Sequence, residues 1–414
     1  MKILNFGSCN VDYVYSMERI VAPGETLSAS KMELFPGGKG LNQSVAVAKA
    51  GAHIYHAGVI GNDGDMLFDI LEKNGVDTTY IKRVDSKNGH AIIQVDKSGE
   101  NSIFVHKGTN GMITEEFVDY VIGSFEKGDI ILLQNEINNL NYIIDKAFEK
   151  GLKIYFNPSP FNEQLLNIDL NKIYCLVVNE HEAKEMSGVE KIDDAMNTFN
   201  TKHPGLKVVI TLGKRGCIYY DGEEVFSQNA FVVKAVDTTA AGDTFTGYFA
   251  SMCAKGEQSA KAIRYACAAS AISVSREGAA PSIPHISEVK EHLMSFKESN
   301  YSKITKEQKL IQQINEYISN NITTANINEL AKLLGYSKAY CGILIKSLTG
   351  KPFSELLQFK RCERAATLLT DTDLSISDII NNVGYENESF FRKKFSSLFG
   401  LSPLKYRKNG GKIQ

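Results

Sequence analysis

The sequence predicts two domains of different class: a doubly wound α/β domain over residues 1–297, with a small exposed β-sheet, and an all-α domain over residues 305–408 built from two helix-turn-helix units. Three observations lead there. Up to about residue 295, short apolar runs alternate with amphipathic stretches, the pattern of parallel strands joined by helices. Beyond residue 305 such runs stop and apolar residues recur at helical spacing. The charge changes at the same place. Residues 301–414 hold 17 Lys and Arg against 10 Asp and Glu, a balance of +7, which leaves −9 for the first 300 residues. The polar segment Ser295–Thr305 marks the boundary.

The chain enters its first strand at once, Lys2 to Phe6, with no signal-peptide pattern ahead of it. Gly7-Ser8-Cys9-Asn10-Val11-Asp12 closes that strand. Asn10 and Asp12 lie two apart, so on extended backbone they project to one side. An amide beside a carboxylate suits a polyol. Next comes Phe35-Pro36-Gly37-Gly38-Lys39-Gly40-Leu41-Asn42-Gln43, leading into a helical run from Ser44. The paired glycines let backbone lie close against a ligand, and Lys39 and Asn42 offer donors to hydroxyl groups. Gln43 replaces the third glycine of a dinucleotide fingerprint, and no Walker A spacing follows. The pieces Ile54–Gly58, Ile130–Gln134, Lys153–Asn157, Cys175–Asn179 and Val208–Leu212 read as buried parallel strands. Segments near Glu33–Phe35, Ala91–Val95 and Ser102–Val105 alternate and form the small exposed sheet.

The most informative stretch is Val236-Asp237-Thr238-Thr239-Ala240-Ala241-Gly242-Asp243-Thr244-Phe245. It reads as a strand end, a turn of small residues, and a helix opening on an acidic residue. Ala240, Ala241 and Gly242 let backbone N–H groups approach an anion, and the helix N-terminus adds its partial positive charge. Asp243 then stands beside an anion hole, where a carboxylate can accept a hydroxyl proton during phosphoryl transfer. In such a reaction positioning and electrostatics carry the catalysis.

These motifs, with Pro23-Gly24-Glu25-Thr26, Asn157-Pro158-Ser159-Pro160, Asn179-Glu180-His181-Glu182, Ile210-Thr211-Leu212-Gly213-Lys214-Arg215-Gly216 and Gly278-Ala279-Ala280-Pro281-Ser282, resemble in order the ribokinase branch of the PfkB sugar kinases, from about residue 3 to 295. The resemblance implies an ATP-dependent carbohydrate kinase acting on ribose. It assigns the sugar hydroxyls to Asn10, Asp12, Gly38, Lys39, Asn42 and Glu136, and makes Asp243 the base. It gives the nucleotide and its phosphates to Asn179, Thr211, Gly213, Gly216, Gly242 and Cys267, although packing is a ready alternative for Cys267. Glu182 would organise Mg²⁺ through water. Oxygens around Asp237, Thr239, Ser273, Arg276, Gly278 and Ser282 match a K⁺ (monovalent-cation) site. The small sheet would be a lid over the sugar and a homodimer surface. Thr246 departs from the pattern, since ribokinases usually carry Asn there.

The C-terminal region repeats one grammar. Ile327 to Gly335-Tyr336-Ser337 is followed by a helix through Leu348, and Ile376 to Gly384-Tyr385 by a helix through Phe399, with a joining helix from Phe353 to Leu369. Residues 310–408, and the ending Phe390-Phe391-Arg392-Lys393-Lys394-Phe395 to Tyr406-Arg407 above all, resemble an AraC/XylS-type DNA-binding domain. That resemblance sets Lys338, Tyr340, Lys346, Asn387, Ser389, Arg392 and Lys393 near double-stranded DNA. In the first reading helix Ile343 stands where the family often has a basic residue, and Gly342 sits inside the helix.

Composition narrows the rest. The 414 residues are 43% hydrophobic, enough for a sizeable core, without an apolar run long enough to span a membrane. Seven scattered cysteines without a Cys-x-x-Cys pair read as reduced thiols of a cytoplasmic protein. Two functions stay open: a working kinase, for ribose or for another sugar or nucleoside, with a regulatory module, or a regulator whose kinase-like domain senses sugar.

Overall fold

The computed structural model describes residues 1–409 apart from 99, 221–224, 300–305, 373 and 386. It divides into two compact units, Met1–Asn300 and Tyr301–Gln414. The end of the boundary segment Ser295–Thr305 lies outside the described residues.

In the first unit a nine-stranded sheet runs β13-β12-β11-β10-β9-β8-β1-β4-β5. Its parallel part comprises β5 (Asp77–Arg83), β4 (Ile54–Ile60), β1 (Ile3–Phe6), β8 (Ile130–Gln134), β9 (Lys153–Asn157), β10 (Cys175–Asn179) and β11 (Lys207–Thr211). Strands β1 and β8 are fully buried, as their unbroken apolar runs require. Antiparallel β12 (Cys217–Tyr220) and β13 (Val225–Gln228) finish one edge. A separate four-stranded sheet, β3-β2-β6-β7, joins β3 (Lys31–Gly37), β2 (Asn10–Ser16), β6 (Gly89–Val95) and β7 (Asn101–His106). Asn10 and Asp12 therefore lie in a strand, not in a loop after β1.

The helices that matter to the site are α1 (Lys39–Lys49), α7 (Ala241–Ala254) and α8 (Ser259–Ser273). Leu41, Val45, Phe245, Tyr248, Phe249, Ile263 and Cys267 belong to one buried core with residues of β1, β8 and β10. Helix α7 begins two residues earlier than expected, so Asp243 is its third residue. The sheet order reverses around β1, between β4 and β8. In open α/β sheets that reversal creates a crevice beyond the strand ends, and the residues after β1 face α1 there.

In the second unit, α10 (Lys306–Asn320), α11 (Ile327–Leu334) and α12 (Lys338–Thr349) share a core of Ile314, Ile318, Leu330, Cys341 and Ile345 with Phe353 and Leu356 of α13 (Phe353–Asp371). The far half of α13, with α14 (Ile376–Asn382) and α15 (Glu388–Phe399), builds another core on Cys362, Ala365, Leu369, Ile379, Phe391 and Phe395. One long helix thus carries a helix pair at each end. Side-chain N-caps on Asn326, Ser337, Ser375 and Asn387 start the four helices of those pairs.

Candidate functional site

Two glycines permit the crevice. A Cβ on Gly40 would sit 2.3 Å from the Ser8 nitrogen, and one on Gly37 2.0 Å from an Asp12 carboxylate oxygen. Only bare backbone at the end of β3 and in the first turn of α1 lets strand β2 and the turn after β1 close on them. That contact gathers Ser8, Asn10, Asp12, Lys39, Asn42 and Gln43.

The base candidate Asp243 is buried, at 6% exposure. Asn42 Nδ2 donates to its Oδ2 and Gln43 Nε2 to its Oδ1, both at 3.1 Å. Gln43 is itself fixed: Gln134 Nε2 donates to its Oε1 at 2.7 Å, and also to Asn5 Oδ1 at 3.1 Å. The Asn42 Oδ1 atom is buried without a partner, a cost of roughly 1–3 kcal/mol that a ligand donor would remove.

Glu136 accepts from the Ser8 hydroxyl and, at 2.9 Å, from the Lys39 backbone N–H. Burial raises its carboxyl, although Lys39 and these donors oppose the shift. Asp12 is pushed up to about 7, first by burial and then by the charge of Glu136. For Lys39 burial is the largest influence and lowers the ammonium, yet Asp243, Glu136 and Glu182 together outweigh it, so the net shift is upward. Asn10 accepts from Asn110 Nδ2 at 2.7 Å. Beneath this layer the His56 ring lies 2.8 Å from Ser44 Oγ and 3.2 Å from Cys9 Sγ, and burial holds it down at about 4.

On the other side of Asp243, Ala240 takes φ +58°, a left-handed conformation uncommon for a non-glycine residue. No side chain caps α7 at Ala240, and a Cβ on Gly242 would meet no protein atom within 4 Å. The Ala241 N–H donates to the Thr238 carbonyl at 3.3 Å, whereas the amides that follow it in the first turn, which lack intrahelical partners, border open space. That space is a cavity of about 390 Å³ lined by Thr211, Gly213, Gly216, Thr238, Ala241, Gly242, Cys267 and neighbouring apolar side chains.

Asn179 is not among the lining residues. Its side chain caps α5 (Glu180–Ser187) by accepting from the Glu182 N–H, while Glu182 accepts from the Asn179 N–H, a reciprocal capping box. Asp237 pins a loop: Thr239 and Gly278 donate their backbone N–H to its two oxygens at 2.8 and 3.0 Å. Ser273 and Ser282 hydroxyls meet at 2.8 Å, and Arg276 pairs with Glu288. Thr246 donates its hydroxyl to the Gly242 carbonyl at 2.9 Å, an intrahelical bond.

Comparison with known proteins decides the family. The model of the pfkB family of carbohydrate kinases matches residues 1–286. The chain belongs to that family. A ribokinase of Haemophilus influenzae is 36% identical over 299 residues, covering 69% of this chain and 96% of its own. The crystal structure of a Thermotoga maritima ribokinase superposes with a TM-score of 0.64 at 35% identity, over 70% of this chain and 99% of its own. An Arabidopsis thaliana ribokinase structure, complexed with ribose and ATP, gives 0.63 at 29% identity over 70% and 98%. This pfkB protein is therefore an ATP-dependent carbohydrate kinase, and a helix-turn-helix domain of AraC type matches residues 330–409.

In that second unit Lys338, Lys346, Asn387, Ser389 and Lys393 are exposed, while Tyr340 packs its ring against Tyr336 at 4.9 Å. Asn387 spends its side chain capping α15, and Arg392 pairs with Glu388 one turn back. Gln43, Gln134, Ser8 and Asn110 carry much of the kinase site's hydrogen bonding and were not foreseen. In the sequence Gln43 stands out only as the residue in place of a dinucleotide fingerprint's third glycine.

Proposed function

We propose that this pfkB kinase transfers the γ-phosphoryl group of ATP to the primary hydroxyl of ribose, and that its C-terminal unit binds DNA. One observation carries the kinase reading: Asp243 stands between a pocket of Asn10, Asp12, Lys39, Asn42 and Glu136 and the uncapped start of α7 at the cavity. The sugar lies on the first side, with Gly38 giving close backbone approach. Its hydroxyls replace the Asn42–Asp243 contact and satisfy Asn42 Oδ1. Gln43, fixed by Gln134, keeps the Asp243 carboxylate aimed as it accepts the hydroxyl proton. The amides of Gly242 and Asp243, opened by the turn at Ala240, stabilise charge on the transferring group. The nucleotide fills the cavity beside Thr211, Gly213, Gly216 and Cys267, with Asn179 at its phosphate end.

Among the described residues no three His, Cys, Asp or Glu side chains cluster as a metal cage. The buried carboxylate of Glu182 would hold a hydrated Mg²⁺ through water, together with substrate phosphates. Mg²⁺ would neutralise phosphate charge there. The loop pinned by Asp237, with oxygens of Thr239, Ser273, Arg276, Gly278 and Ser282, fits K⁺. The apolar side chains exposed on the small sheet, Met32, Leu34, Ile103, Phe104 and Val105, support a homodimer. Seven free cysteines support a reducing, cytoplasmic setting.

Initial rates with ATP against ribose, deoxyribose, fructose and nucleosides test this reading. Ribose is expected to give the highest kcat/KM, and no turnover of any of them sinks it. A second reading, in which the kinase unit senses sugar for the DNA-binding unit, draws on the helix-turn-helix match. Ribose and nucleotide would then shift DNA affinity, and DNA would shift sugar affinity by the same factor. Anisotropy titration with and without both ligands decides it, and an unchanged Kd leaves two independent activities.

A further inference from the structure

Two of the seven free cysteines lie together at the wall of the cavity. Cys217 opens β12 directly after the cavity-lining Gly216, and pairs in register with the cavity-lining Thr211. Cys267 lies in α8 and lines the cavity itself. Their sulfurs are 3.5 Å apart, and both side chains are buried, at 1% and 7% exposure. A disulfide needs about 2.05 Å between sulfurs. Closing the gap therefore takes a shift of roughly 1.5 Å between the start of β12 and α8. Gly216, directly before β12, and Cys267, Ser270 and Ala271 of α8 all line the cavity, so that shift moves its wall.

We propose that Cys217 and Cys267 form an oxidisable dithiol whose disulfide narrows the cavity and weakens nucleotide binding. The effect on nucleotide rests on the placement of ATP proposed above. Cys267 reacts first, because it alone of the pair lines the cavity. The oxidant is a peroxide. The Cys267 thiolate, its proton lost to water, attacks one peroxide oxygen. The O–O bond breaks, hydroxide takes up that proton and leaves as water, and Cys267 becomes a sulfenic acid. The Cys217 sulfur then attacks the Cys267 sulfur and breaks its S–O bond. The Cys217 proton goes to the departing hydroxide, which leaves as the second water. Two thiols lose two electrons in all, and one peroxide becomes two waters. A thiol reductant reverses the step by exchange. A bound nucleotide covers Cys267, so nucleotide binding and oxidation oppose one another.

The test uses the full-length chain and hydrogen peroxide in small excess. Peptide mapping without reductant is expected to find Cys217 linked to Cys267. The KM for ATP is expected to rise on the order of tenfold, within the usual range of coupling between sites, and to return with dithiothreitol. ATP present during exposure is expected to suppress the link. Cys217→Ala should keep the reduced enzyme's KM for ATP and yield no linked peptide. No link in the wild type, a link without change in the KM for ATP, or the same reversible rise in Cys217→Ala overturns the proposal. Alkylation of the reduced enzyme by iodoacetamide separates the two readings. If turnover is normal but ATP fails to shield Cys267, the nucleotide placement is wrong. Shielding without a disulfide removes the dithiol alone.

Discussion

The two units use the same residue types in opposite ways. In the kinase unit, Asn42, Gln43 and Asp243 are buried and bonded to one another over a sequence separation of about two hundred residues. In the helical unit, Asn387, Ser389 and Lys393 are exposed, and Asn387 bonds to Phe390 and Arg392 to Glu388, both within four residues. A buried polar cluster is costly unless each member is satisfied, so its presence points to chemistry. An exposed Lys or Arg costs little to keep and has an ordinary alternative as a solvated surface. The kinase site is thus readable from geometry, whereas the DNA face rests on pattern and charge.

The sharpest way to break that comparison is Asp243→Asn. The amide is nearly the size of the carboxylate, and folding and ATP binding should survive. The kcat is expected to fall roughly 10²–10⁴-fold, the contribution of a general base. A rate within a few-fold of wild type shows that the buried cluster is structural. Gln43→Leu removes a donor to a charged group, worth about 1.5–3 kcal/mol. It should lower kcat by one to two orders of magnitude at little change in the KM for ribose. A change confined to KM makes Gln43 a sugar ligand instead.

Asp12 tests the same point through pH. Asp12→Ala is expected to raise the KM for ribose about 10- to 150-fold, on the same charged hydrogen-bond scale. In the wild type the carboxyl, raised to about 7 by burial and Glu136, is neutral in the folded protein over a range where the unfolded chain is ionised. The folded state then holds the extra proton between about pH 4 and pH 7. This group's contribution to stability therefore falls as pH rises through that window, being greatest below it. Its affinity for a sugar hydroxyl runs the other way. The KM for ribose should rise as pH drops below 7, and Asp12→Asn should flatten that slope. A KM independent of pH in the wild type removes Asp12 from the sugar.

How far the sequence carries depends on the range of the interaction. The turn of small residues at Ala240–Gly242, the glycines before α1 and the repeated helix pairs are local, and each was legible from a few neighbouring residues. Strand β5 was not: Asp77-Thr78-Thr79-Tyr80-Ile81-Lys82-Arg83 carries no buried residue in the outer strand of its sheet, so it lacks the apolar run that marks its partners. Antiparallel β12 and β13 on the opposite edge, four residues each, are likewise too short to stand out in the sequence. Gln43 and Gln134 were invisible because an amide reads as a site residue only once its partner 200 or 91 positions away is brought beside it. The capping box of Asn179 and Glu182 shows the converse, since a motif of functional look also has a plain helix-starting job.

On the DNA side effects are smaller and better sharpened by salt. Replacing Arg392 and Lys393 together by Ala should weaken DNA binding about equally for all sequences. If both touch phosphates, the slope of log K against log salt should drop by roughly 1.8, at about 0.9 per contact. Kinase rates should not change. An unaltered slope places both residues off the backbone.

The smallest effect concerns the interior of α12. Gly342 lies mid-helix, in the segment Lys338–Thr349, and its φ is not in the positive range. A Cβ there would meet the Ile327 Cδ1 atom at 3.4 Å, the near limit of ordinary contact with the end of a flexible side chain. Glycine in a helix interior costs about 1 kcal/mol relative to alanine. No close approach in the protein repays it, unlike Gly40 against the Ser8 nitrogen. Gly342→Ala is therefore expected to stabilise the helical unit by up to about 1 kcal/mol, a rise of about 4–8 °C for a domain of this size. The corresponding Gly40→Ala should destabilise the kinase unit. Thermal unfolding of the full-length chain reads both. If Gly342→Ala leaves the protein unchanged or weaker in unfolding yet alters DNA affinity, then the glycine serves the DNA face. The exposed region would in that case hold a functional constraint of the kind so far visible only in the buried one.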